Sequence, residues 1–184
     1  MAWRLSLLLL IVVIPYPFGR SQESGNGARI ESVYRNFLGS WEGESERMVG
    51  GQHVRETIEL VVTEEPKNHR LKFDYHHNNG RIPDNSRFLN LDPSKEMVTM
   101  QWKGSPKDRC AASGLKKFVQ TGLGDFSAIC HSTDRIYDPI TGQLATKSIT
   151  LHLGSDTLKY EYGLSTDGKI YAVVSKFSFR RRTE

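Results

Sequence analysis

The amino-acid sequence predicts an all-β fold, an antiparallel up-and-down (meander) barrel of about 8–10 strands with a short N-terminal helix. Three observations carry that prediction. Short segments of alternating apolar and polar residues follow one another from position 41 to position 179. Clusters of glycine, proline, asparagine and aspartate separate them at intervals of about 8–12 residues, the spacing of sandwich and barrel strands. Most of the separating stretches are too short to return a strand in its original direction, so sequence neighbours pair antiparallel. A flat meander of this many strands leaves two unpaired edges, and closing it removes both. A Greek-key sandwich is the alternative that the same pattern permits.

The 184 residues open with MAWRLSLLLLIVVIPYPFGRSQ. One basic residue, Arg4, precedes an apolar run over 5–14, and helix-breaking Pro15 and Pro17 follow it, which is the three-part layout of a secretory signal peptide. The run is well short of the roughly 20 residues that a membrane-spanning helix needs, so no stable membrane span is expected. Gly19 and Ser21 are small residues at the right distance for cleavage before Gln22, which gives a signal peptide over 1–21 and an exported protein, periplasmic or secreted. Residues 22–28 are polar and glycine-rich and read as a flexible lead-in, leaving 29–184 as one barrel domain. Arg4 and Arg20 leave with the leader, so the formal charge falls from +4 by two. A chain so near charge balance is not expected to take nucleic acid as its main partner, which requires clustered cations along a face.

Ile30, Val33, Tyr34, Phe37 and Leu38 recur at the spacing of one apolar helix face, and Gly39 supplies a stop. Beyond it the expected strands are 41–48, 54–63, 71–77, 87–91, 97–103, 115–120, 126–132, 145–153, 157–164 and 170–179. Gly50-Gly51, Pro66-Lys67-Asn68, Asn78-Asn79-Gly80 and Asp92-Pro93-Ser94 separate the first five. The stretch 104–114 reads as the longest irregular loop in the middle of the chain. Gly122-Leu123-Gly124-Asp125, the 138–142 DPITG turn, Gly154-Ser155-Asp156 and Thr166-Asp167-Gly168 separate the rest. Cys110 and Cys130, the two cysteines of an exported chain, are expected to form a structural disulfide that tethers this loop; two buried thiols or a redox pair are the alternatives. A loop of roughly 20 residues closed in this way adds about 3 kcal/mol on the chain-entropy account. Only His131 lies near them in sequence, too few ligands for a metal site, and no cofactor is expected.

Side chains alternate faces along a strand, so parity sorts the interior. Val54, Ile58, Leu60 and Val62 share a face; so do Leu71, Phe73, Tyr75 and His77; so do Val98, Met100 and Trp102; so do Leu158, Tyr160, Tyr162 and Leu164. Tyr75, His77, Met100, Trp102, Tyr160 and Tyr162 form an aromatic and partly polar lining fit for a small apolar or amphipathic guest. The same aromatics can instead pack solidly against one another. Arg47 shares the face of Trp41 and can clamp a carboxylate, but beside the Gly50-Gly51 turn it is expected to reach solvent. No GxSxG, HExxH, CxxC or phosphate-cradling glycine loop occurs, so an enzyme is the weaker expectation. Asp74, Glu56 and Asp125 are the acids available to one.

The stretch FLGSWEGE carries a family resemblance. A helix ending in Asn36-Phe37, then Gly39-Ser40-Trp41 opening the first strand of a closed meander, resembles the calycin superfamily of lipocalins, fatty-acid-binding proteins and their bacterial barrel relatives. The resemblance implies that Gly39 and Trp41 are structural, with Trp41 at the closed end beneath an arginine of the last strand, here Arg180 or Arg182. A guanidinium over an indole adds about 0.5–2 kcal/mol. The WEGE continuation is also similar to bacterial haem-binding barrels of the nitrobindin type, which use a histidine on a late strand. Segment 170–179 has none, and His152 is the nearest substitute. With the inward aromatic and partly polar set, the expectation is a monomer that holds a small hydrophobic or amphipathic molecule in its lumen. An enzyme acting on a small hydrophobic substrate in that cavity and a solid envelope or interaction module are the alternatives.

Overall fold

The computed structural model describes residues 22–49, 51–78, 80, 82, 84–105, 107–131 and 144–183. The leader expected over 1–21 and the turn expected at 138–142 lie outside the described residues. Helix α1 (Gln22–Phe37) leads into β1 (Gly39–Val49), β2 (Gln52–Glu65), β3 (Arg70–His77), β4 (Asn85–Asp92), β5 (Met97–Trp102) and β6 (Asp108–Ser113). A short helix α2 (Leu115–Thr121) precedes β7 (Gly124–His131), β8 (Thr146–Leu153), β9 (Thr157–Ser165) and β10 (Ala172–Arg181). Every strand pairs antiparallel with its sequence neighbours, and β1 pairs with β10, so the ten strands form one closed barrel. No sheet edge is left open.

Two elements differ from expectation, and the differences compensate in the strand count. Segment 115–120 is helical: Leu115, Phe118 and Val119 fall at i, i+3 and i+4, and all three are buried. Glycines close both ends, Gly114 at φ +83° and Gly122 at φ +76°, where the Gly122 N–H donates to the Phe118 carbonyl at 2.8 Å. The missing strand is β6, inside the stretch that reads as a loop. Its small and polar residues have little strand propensity, yet Asp108, Cys110 and Ala112 alternate inward, and pairing on both sides fixes them. Helix α1 begins at Gln22 and so takes in the glycine-rich stretch 22–28.

The core lies in the barrel half that both helices cap. Val33, Tyr34 and Phe37 of α1 are fully buried, with Phe37 edge-on to Phe73 and tilted against Phe118 at 6.1 Å. Trp41 donates from Nε1 to the Phe37 carbonyl at 2.9 Å. The cation over its ring is Arg181, at 4.2 Å from the centroid, rather than Arg180 or Arg182. The reason is parity: Phe177 and Phe179 point inward, so Arg181 shares their face, while Arg182 pairs on the outer wall with Glu42 and Glu59. Arg181 also donates to the Leu38 and Asn36 carbonyls at 2.6 Å each, which satisfies the end of α1. Cys110 and Cys130 face each other across β6 and β7 and form the disulfide.

Candidate functional site in the barrel interior

The half of the barrel away from the helices is not apolar. The ends of β1, β3, β5 and β9 and the starts of β2, β4, β6, β8 and β10 meet there, and alternation along each strand brings polar side chains inward. On β4 the inward set runs Arg87, Leu89 and Leu91, all buried. On β2 it begins with Glu56, on β6 with Asp108 and on β8 with Lys147, which are also buried. Sorting β2 and β4 by parity along their whole length would have revealed Glu56 and Arg87, because each stands two positions from an inward apolar residue. Lys147 stands two positions before inward Ile149 in the expected strand 145–153 and follows the same rule, whereas Asp108 starts a strand that composition does not mark.

Three of these four charges are neutralised within the lumen. Lys147 Nζ donates to Asp108 Oδ2 at 2.7 Å. Glu56 Oε1 accepts from Ser45 Oγ at 3.3 Å, from Arg47 Nη2 at 3.2 Å and from His77 Nδ1 at 2.8 Å. Arg47 therefore folds back over Glu56 instead of reaching solvent, with only 13% of its side chain exposed. A buried carboxylate on the adjacent strand β2 gives it a better partner than water does. With the Nδ1 proton on Glu56, His77 Nε2 is the acceptor for Arg47 Nη2, 2.9 Å away. Burial, and then the Arg47 charge, push the His77 pKa below its ordinary 6.5, so its neutral form is favoured.

Arg87 differs from both pairs. It is fully enclosed, and among the described residues no carboxylate comes within ion-pair distance of its guanidinium. It donates to the Tyr160 hydroxyl, and Trp102, its cross-strand neighbour, covers it at 3.8 Å from the ring centroid. The Tyr160 ring lies 4.8 Å away. Its Nε has no hydrogen-bond partner, and neither has Glu56 Oε2. Burial lowers the pKa of Arg87 and raises that of Tyr75, and it pushes Tyr162 up to about 12. These phenols therefore stay protonated and present O–H donors.

The residues expected to line the lumen divide into two groups. Tyr75, Met100, Trp102 and Tyr160 gather around Arg87, and Tyr162 packs beside them against the core. His77 stands apart with Glu56 and Arg47. Among the acids considered for catalysis, Glu56 is interior, Asp74 holds Ser86 Oγ at 2.6 Å, and Asp125 is exposed and paired with His152 at 2.6 Å. His152 thus stands on the outer wall, which places it outside any lumen site. Beneath Arg87, between Tyr75, Met100, Tyr160 and Phe179, there is a cavity of only about 20 Å³. That is room for about one water molecule.

No family profile matches the sequence, and no curated protein does. Solved structures match on fold. The crystal structure of Rv2717c from M. tuberculosis aligns with a TM-score of 0.52 at 10% identity, covering 84% of this chain and 98% of that one. The S-type phycobiliprotein lyase CPES from Guillardia theta aligns with a TM-score of 0.52 at 12% identity, covering 89% and 99%. With the closed ten-strand meander, these similarities show the barrel fold. Among the described residues no helix is long and apolar enough to cross a membrane.

Proposed function

We propose that the protein is an exported, single-chain, lipocalin-like barrel that binds a small amphipathic molecule through an anionic head group at Arg87. One observation carries the proposal: a cation enclosed in the lumen with no carboxylate in ion-pair distance among the described residues, and with its Nε unpartnered. A buried charge is costly unless something compensates it, and aromatic faces offset only about 0.5–2 kcal/mol. A carboxylate, sulfonate or phosphate would accept a two-pronged bond from the guanidinium and further bonds from the Tyr75 and Tyr160 hydroxyls. Trp102, partly exposed over Arg87, would turn aside to admit it, and its ring and that of Tyr162 would flank the apolar body. The Cys110–Cys130 disulfide supports an oxidising, exported setting. The similarity to a phycobiliprotein lyase, as that structure is named, supports the fold alone.

The test is native mass spectrometry with alkyl carboxylates of graded length and the matching alcohols. Saturable one-to-one binding of the acids, at least tenfold tighter than of the alcohols, supports the proposal. Equal weak binding of both, or none, rejects it. The second reading, a solid scaffold acting through its loops, is favoured by the cavity of about 20 Å³, and it predicts no binding in either series.

A further inference from the structure

On the outer wall, β3, β4, β5 and β6 frame a groove of about 530 Å³ that the lumen site does not use. Four cations line it, Arg70, Lys95, Lys107 and Arg109, and no carboxylate does. Register places Asn90, Thr99 and Arg109 in one row across three strands, with Phe88 and Gln101 side by side in the next. Arg70 lies flat on the Phe88 ring at 3.9 Å. It is held there by Glu65 at 2.7 Å and by the Gln101 carbonyl oxygen at 3.3 Å. Lys95 is tied to Asp92 at 3.0 Å. Among the described residues Lys107 and Arg109 have no acidic partner, so the groove presents two uncompensated cations above a preorganised polar floor.

We propose that this groove binds an anionic linear polysaccharide, with Lys107 and Arg109 on its sulfate or carboxylate groups. Four strands at about 4.8 Å spacing make a track roughly 14 Å wide, the span of a few sugar rings. Side-chain amides and hydroxyls at Asn68, Asn90 and Thr99 suit sugar hydroxyls. Charge complementarity alone would admit single-stranded nucleic acid, but base binding needs open aromatic faces, and the Phe88 face is covered by Arg70. A flat anionic membrane does not fill a concave wall. The disulfide next to Arg109 fits the oxidising, exported setting proposed above.

The experiment is isothermal titration of the full protein with a sulfated uronic-acid hexasaccharide, its desulfated counterpart and a single-stranded oligonucleotide of equal charge. The expected result is saturable binding of the sulfated hexasaccharide that weakens with salt. Binding should fall at least tenfold in K107E/R109E and less than twofold in R55E, which changes the charge of the β1–β2 wall. Both variant sites are exposed, and an unchanged melting temperature confirms folding. Equal loss in R55E, retained binding in K107E/R109E, or tighter binding of the oligonucleotide would each overturn the proposal.

Discussion

Arg87→Met separates stability from function at a single residue. A methionine fills the same lumen volume without a charge to desolvate, so the variant is expected to be as stable as the parent or more so, by up to about 2 kcal/mol. Thermal unfolding measures this, and a large loss would mean that the Tyr160 and Trp102 contacts outweigh the cost of burial. His77 gives a pH signature. The unfolded side chain titrates near 6.5 and the folded one lower, so between those values the unfolded chain binds more protons and stability falls as the pH falls. The contribution is constant above about pH 6.5. Carboxylates held down in the fold, such as Asp84 by the His77 N–H, act only near and below their ordinary 3.8. Melting temperatures between pH 7 and 5 should therefore decline in the parent and decline less in His77→Gln; an identical slope would contradict the burial of a neutral imidazole.

Elements close the barrel at the β1–β10 seam, where the sequence motif around Trp41 has its effect. The indole bridges α1 to the floor, Arg181 covers it, and Gly43 lets β10 approach. A Cβ at Gly43 would stand 1.9 Å from the Ser178 carbonyl oxygen and 2.8 Å from Phe179 Cα. The β10 backbone cannot yield cheaply, so Gly43→Ala is expected to lose about 3 kcal/mol or more, a fall of roughly 6–12 °C in Tm for a domain of this size. A change under 2 °C would show that the seam is looser than described. The helix stripe and most strands were legible because each is a local pattern of period 3.6 or 2. The exchange of 115–120 for β6 was not, because α2 is too short to show a period and β6 is held by its neighbours and by Cys130 rather than by propensity. Arg181 was missed for a related reason: three consecutive arginines give no hint of which faces inward until the strand's register is known.

At the scale of the whole molecule, closure and one cross-strand disulfide hold a barrel whose two halves differ in chemistry. Replacing Cys110 and Cys130 with alanine should cost about 3 kcal/mol, read as a lower denaturant midpoint with a steeper slope, because the freed unfolded chain expands. No shift would show that strand pairing alone fixes β6 and β7. The inward aromatic set was readable from parity, because alternation survives closure. The charges among it were not all readable: Glu56 and Arg87 follow the same alternation, but whether a lumen charge finds a partner depends on strands far apart in sequence. Lys147 finds Asp108, whereas Arg87 finds only hydroxyls and rings. That difference is the basis for assigning the head-group site, and one ratio tests it most directly: the affinity of an anionic naphthalene sulfonate fluorophore for the parent over that for Arg87→Met. The account predicts a ratio of roughly 10 to 100, the worth of a charge-assisted hydrogen bond. A ratio near one, with both proteins folded, would contradict it.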